Sequence, residues 1–167
     1  ERFSLPIFGV IVPGAIAAVE ATSNGRIGVI GTQATIRSRA YRRAINELGK
    51  NVEIHGCACP LLVPLVEEGW VEHKVTTEIL REYLAPLLAK KIDTLVLGCT
   101  HYPLLKAAIA RLTGPDIVLV DSAESCAQYV QREVERLGLL ASEGRGGMVL
   151  NVTDEMERVT DLAEHFL

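Results

Sequence analysis

Apolar residues in this chain fall into two alternating patterns: short unbroken runs, and longer stretches where they recur every three or four positions. The runs Arg26-Ile27-Gly28-Val29-Ile30 (ending at Gly31), Val52 to His55, Ile92 to Leu97, Ile117 to Val120 and Met148 to Val152 predict strands. Ile92 to Leu97 is the clearest of them. A further apolar run, Ile7 to Ile11, precedes Pro13-Gly14 and an alanine-rich stretch to Ala21. The helical period predicts a helix opened by Thr35, with Ile36, Ala40, Ala44, Ile45 and Leu48 on its apolar side and Gly49 closing it. Further helices are expected over 61–68, 71–90, 103–112 and 123–137, and a last one over 154–166 capped by Thr153 or Asp154. Gly144 to Gly147 reads as a loop between the last helix pair. Strands that are apolar throughout, each followed by a helix, imply an α/β fold with a parallel sheet covered on both faces.

Composition narrows the function classes. A 49% hydrophobic fraction over 167 residues excludes wholesale disorder and is enough for a core without staples. No stretch approaches the ~20 apolar residues of a membrane-spanning helix. The net charge of −4, from 17 basic and 21 acidic residues, argues against a general nucleic-acid binder. Cys57, Cys59, Cys99 and Cys126 follow no signal-peptide pattern, so reduced thiols and a cytoplasmic location are the default. No cysteine or histidine pair stands at zinc-ligand spacing, so no metal is expected.

In open α/β sheets ligands bind beyond the carboxyl ends of the strands. After Leu97 comes Gly98-Cys99-Thr100-His101-Tyr102-Pro103. Gly98 permits a tight exit, Thr100 or His101 suits a cap, and Pro103 suits the first helical turn. A cysteine there lies beside a helix start, where amide groups favour a thiolate and can hold a carboxylate or phosphate. His101, two residues on, can exchange a proton with the thiol or with a substrate. The bland alternatives are a buried cysteine and a structural histidine. After Ile30, Thr32 and Thr35 make a second such turn; they can hold an anion or simply cap a helix. Glu67-Glu68 reads on spacing alone as a solvated face, as do Arg37, Arg39, Arg42 and Arg43. Asp121-Ser122-Ala123 looks like another helix start, and Cys57 and Cys126 read as packing residues.

Together these segments resemble the cofactor-independent aspartate/glutamate racemase family, and within it the glutamate racemases. The strongest match is Leu97-Gly98-Cys99-Thr100-His101-Tyr102-Pro103-Leu104-Leu105, which is similar to the family's second catalytic-cysteine motif. Ile27 to Thr32 with Thr35, Pro60 to Glu67, Val120 to Ala123 and Val152-Thr153-Asp154 support it in the right order. The resemblance implies a two-lobed fold in which residues 7–121 form the second lobe, a three-layer parallel-sheet unit, and residues 1–6 and 122–167 belong to the first. It implies interconversion of L- and D-glutamate by two cysteines without a cofactor, supplying D-glutamate for peptidoglycan. Cys99 would act on L-glutamate with His101 assisting, Thr100, Thr32 and Thr35 would hold the substrate, and Glu67 would sit in the same pocket.

One departure is large. The family's Cys-Asn-Thr-Ala-like motif and its preceding Asp-Ser-Gly motif do not occur here, and the chain opens on Glu1 without Met. The expectation is an incomplete chain that does not racemise glutamate by itself, because one base cannot serve both faces of the carbon. Helix faces around Cys126, Val130 and Val134 would then lack their usual partners, which predicts association such as a homodimer, swapping or poor solubility. The rival readings are a related aspartate racemase or decarboxylase, against which His101 counts, and a non-catalytic anion-binding domain.

Overall fold

The computed structural model describes residues 6–141 together with 143, 144, 147, 149 and 151. The helix expected over 154–166 with its cap and the first five residues lie outside the described residues, as do 148, 150 and 152 of the strand expected over 148–152. The chain divides into two compact units, Glu1–Arg132 and Glu133–Leu167.

The first unit is built on four parallel strands: β1 (Arg26–Gly31), β2 (Glu53–Ala58), β3 (Thr94–Gly98) and β4 (Val118–Asp121), in the order β2-β1-β3-β4. β1 pairs with β3 so that Ile27 faces Thr94 and Gly31 faces Gly98. Alternate residues of these strands enter two cores. Ile27, Val29, Val96 and Val120 pack on one face against α1 (Ile11–Ala21) and α3 (Ala40–Glu47). Ile30, Leu95 and Leu97 pack on the other against α4 (Leu62–Glu67), α5 (Lys74–Leu88), a 3-10 turn at Tyr102–Leu105, and α6 (Lys106–Thr113). Burial on both faces is why the central strands β1 and β3 read as nearly unbroken apolar runs, whereas the edge strands β2 and β4 are only partly buried.

Several elements depart from the sequence pattern. The helix expected from Thr35 to Leu48 is two helices, α2 (Gln33–Ser38) and α3, broken at Arg39, which takes the left-handed φ of 53°. Thr32, rather than Thr35, caps α2: its hydroxyl accepts from the Thr35 amide. β2 runs on to Ala58, since Gly56 and Cys57 still pair with Val29 and Ile30. The run Ile7–Gly9 forms no strand, and the helix after it already begins at Ile11.

Two further features hold the frame. Asp93, just before β3, accepts from the hydroxyls of Thr22, Ser23 and Thr94 and from the amides of Ser23 and Asn24. It thus ties the loop ahead of β1 to the start of β3. α7 (Ser122–Arg136) begins directly at the end of β4, where the Asp121 carboxylate accepts from the amides of Ala123 and Glu124. In the second unit the described backbone closes the end of α7: the Leu137 amide donates to the Glu133 carbonyl and the Leu139 amide to the Val134 carbonyl.

Candidate active site

Parallel pairing puts the exits of β1 and β3 side by side at one edge of the sheet. Because Gly31 faces Gly98, Thr32 and Cys99 each stand one residue beyond a paired glycine. Both glycines are needed for this approach. A Cβ on Gly98 would lie 2.8 Å from the Ile30 carbonyl oxygen and 3.0 Å from the Tyr41 ring, and one on Gly31 would lie 3.1 Å from Thr35. No side chain fits between the two strand ends, so the residues following them are drawn together.

Cys99 is half-buried. Its Sγ lies 4.0 Å from His101 Nδ1, and Thr100 Oγ1 lies 3.5 Å from the same nitrogen, both long contacts. The other imidazole nitrogen, Nε2, is 3.3 Å from Glu67 Oε1. Glu67 reaches it because α4 buries Leu62 and Val66 in the core and leaves its last turn at the rim of the site. The result is a thiol, an imidazole and a carboxylate in line. A carboxylate on the far nitrogen orients the imidazole, the arrangement that lets a histidine pass protons to and from a thiol. For Glu67 the solvated-face reading is overturned, and only Glu68 is exposed as that reading expects. Sequence spacing could not show this, since Glu67 and His101 meet only through the packing of α4 on the 3-10 turn.

The expectation of a thiol made more acidic by a helix start does not hold. Burial pushes the Cys99 thiol above its ordinary range, and the amides of His101, Thr100 and Tyr102 with the Thr100 hydroxyl offset this only in part. The backbone after Cys99 is a 3-10 turn over Tyr102–Leu105 before α6 begins, so no long helix dipole points at the sulfur. Neither Thr100 nor His101 makes a side-chain cap there.

Thr32 and Thr35 are brought together, their hydroxyl oxygens 3.0 Å apart at the start of α2. Thr32 thus caps α2 with Thr35 bonded to it, at the sheet edge where Cys99 follows Gly98. Two clamps that the sequence pattern missed hold this edge. The buried Tyr102 hydroxyl donates to the Cys59 carbonyl at 2.9 Å, while the Cys59 amide donates to the Gly31 carbonyl at 2.9 Å. The buried Ser122 hydroxyl donates to the Leu97 carbonyl at 2.7 Å. Cys57 packs half-buried against the core, as expected, and hydrogen bonding with the Cys59 side chain lowers its thiol to about 7, while Cys59 is pushed up by the same contact and by burial.

Among the described residues no three His, Cys, Asp or Glu side chains gather as a metal site, and no helix is long and apolar enough to cross a membrane.

Residues 1–146 match the family model described as Asp/Glu/Hydantoin racemase. The chain is 46% identical over 164 residues to a glutamate racemase of Chlorobaculum tepidum, covering 98% of this chain and 60% of that protein. A crystal structure of a glutamate racemase from Thermus thermophilus, in complex with β-chloro-D-alanine, superposes with a TM-score of 0.83 at 43% identity, covering 97% of this chain and 59% of that one. One from Francisella tularensis, in complex with D-glutamate, gives a TM-score of 0.85 at 31% identity, covering 94% and 58%. The chain thus spans about 60% of the length of the curated relatives it matches.

Proposed function

The chain belongs to the Asp/Glu/Hydantoin racemase family, and from that membership we propose that it carries one acid–base half of a glutamate racemase. The observation that supports this most directly is the line of Cys99, His101 and Glu67 beside the paired hydroxyls of Thr32 and Thr35. In this reading residues 7–121 are the second lobe, and residues 1–6 and 122–167 belong to the first. The Cys99 thiolate takes the α-proton of L-glutamate and becomes a thiol. A second thiol, on the opposite face and outside these 167 residues, returns a proton to give D-glutamate. In the reverse direction the Cys99 thiol is the donor.

The raised Cys99 thiol suits such work. A thiolate that is poorly solvated is a stronger base toward a weak carbon acid than one stabilised by water. His101 takes the proton that must leave Cys99 before it can act on L-glutamate, and Glu67 holds the imidazole for that exchange. Thr100, Thr32 and Thr35 hold the substrate carboxylate or ammonium. No cofactor takes part, and the product serves peptidoglycan synthesis in the cytoplasm.

The test is α-proton exchange of L- and D-glutamate in heavy water, followed by NMR on the 167-residue chain and its Cys99→Ala variant. The expected result is no racemisation by the chain, with any α-deuteration of L-glutamate lost in Cys99→Ala. Net conversion of L- to D-glutamate by this chain, or exchange that survives Cys99→Ala, would overturn the reading.

A further inference from the structure

The break between α2 and α3 opens a cavity of about 200 Å³ against β1 and β2; Cys99, His101 and Glu67 do not line it, but Thr35 does. Its apolar wall includes Val29, Ile54 and the Tyr41 ring, and its polar side carries Arg39 and Arg42. Gly56 on β2 also lines it and adds no side chain to fill it.

Arg26, Arg81, Arg111 and Arg136 each pair with a carboxylate. Arg39 and Arg42, both exposed, pair with none among the described residues, and neither do Arg37 and Arg43 on the same segment; what sets Arg39 and Arg42 apart is that they line the cavity. Arg42 donates to the Ile54 carbonyl, which fixes its guanidinium at the cavity and leaves its remaining N–H groups for another acceptor. Arg39 adopts a left-handed backbone conformation that a long side chain rarely takes. Two guanidinium groups without a carboxylate, over an apolar wall, match an oxyanion carried on a small apolar body. The volume lies below the ~300–1,000 Å³ of pockets for drug-sized ligands, so a nucleotide is too large.

We propose that this cavity binds a small oxyanion-bearing molecule, an organic phosphate or carboxylate, through the guanidinium groups of Arg39 and Arg42. The site rests on the cavity and its two guanidinium groups and shares Thr35 with the proposed substrate site, so loss of binding in Arg39→Gly, at a residue outside that site, is what separates the two.

The test is titration of the isotope-labelled chain with sodium phosphate and, separately, with sodium benzoate, reading backbone amide shifts, with sodium chloride at matched ionic strength as the control. Saturable shifts at Arg39, Tyr41 and Gly56 with phosphate or benzoate, but not chloride, are expected. The arm that saturates at lower concentration identifies phosphoryl or carboxylate as the recognised group. Arg39→Gly keeps the left-handed backbone, which glycine prefers, and removes the guanidinium. It should weaken binding about 10-fold or more, the scale of a lost charged hydrogen bond. Arg39→Lys should fall between the two, having charge without the planar fork. Shifts no different from chloride in both arms, or unchanged saturation in Arg39→Gly, would overturn the proposal.

Discussion

Replacing Asp93 by Asn tests whether a carboxylate outside both cores holds the sheet's frame. Five donors converge on it: the hydroxyls of Thr22, Ser23 and Thr94, and the amides of Ser23 and Asn24, at 2.6–3.0 Å. They hold its carboxyl well below the usual range, the hydrogen bonds outweighing the opposing cost of burial. Asn keeps one oxygen for the Ser23 and Asn24 amides and turns its amide group toward the hydroxyls of Thr22 and Thr94, which can rotate to accept. The bonds survive in number and lose their charge. Charged hydrogen bonds contribute ~1.5–3 kcal/mol each against ~0.5–1.5 for neutral ones. Three of the five are exposed and exchange readily with water, so the net loss is about 1.5–3 kcal/mol, or about 3–12 °C in Tm for a chain of this size. The sign with pH follows from the depressed carboxyl. Its contribution is complete above the unfolded value of about 3.9 and is lost as pH falls below that toward the lower folded value. Thermal melts of both proteins by circular dichroism from pH 7 to pH 3 should therefore start apart and converge in acid. Equal melting at pH 7, or a gap that stays constant down to pH 3, would refute the account.

Gly98→Ala places a methyl 2.8 Å from the Ile30 carbonyl oxygen and should cost about 1–3 kcal/mol in urea unfolding. Gly56→Ala, whose methyl meets the nearest atom of Ile36 at 3.4 Å, should cost much less, and similar losses for both would deny that the strand exits are closely apposed. Alkylation by iodoacetamide at pH 7.5, read by peptide mass spectrometry, should modify Cys57 before Cys99, because one thiol is lowered to about 7 and the other is raised by burial. The Cys99 rate should climb further as pH rises past 9, and a faster Cys99 at pH 7.5 would contradict the burial argument.

The central strands were legible because burial on both faces leaves a direct mark, an unbroken apolar run such as Leu95 to Leu97. The turns at Gly31-Thr32 and Gly98-Cys99 were legible too, since a strand end before a glycine and a polar pair is local information. What was not legible is whatever depends on distant partners. Nothing in Ser38-Arg39-Ala40 marks a break, because neither Gly nor Pro stands there and the helical period continues across it. Asp93 looks like any residue at a strand start, and its main donors lie about seventy positions upstream. Spacing gave Glu67 no link to His101, and only the likeness to a family placed the two in one pocket. The acidity expected of Cys99 failed because position in sequence reveals a nearby turn but not how much water the folded site excludes.

The sheet order has a consequence for the chain while it is being made. β1 is a central strand, yet its partner β3 emerges nearly seventy residues after it. At about 5–20 residues per second that interval is roughly 3–13 s. Until then only β1 and β2 of this sheet have been made, and Ile27, Val29 and Ile30 line a half-sheet whose open side awaits Leu95, Val96 and Leu97. A stall in translation after β2 has emerged from the ribosome and before β3 has would prolong that exposure and favour capture by a ribosome-associated chaperone, whereas a stall once Asp121 has left the exit tunnel would find all four strands available.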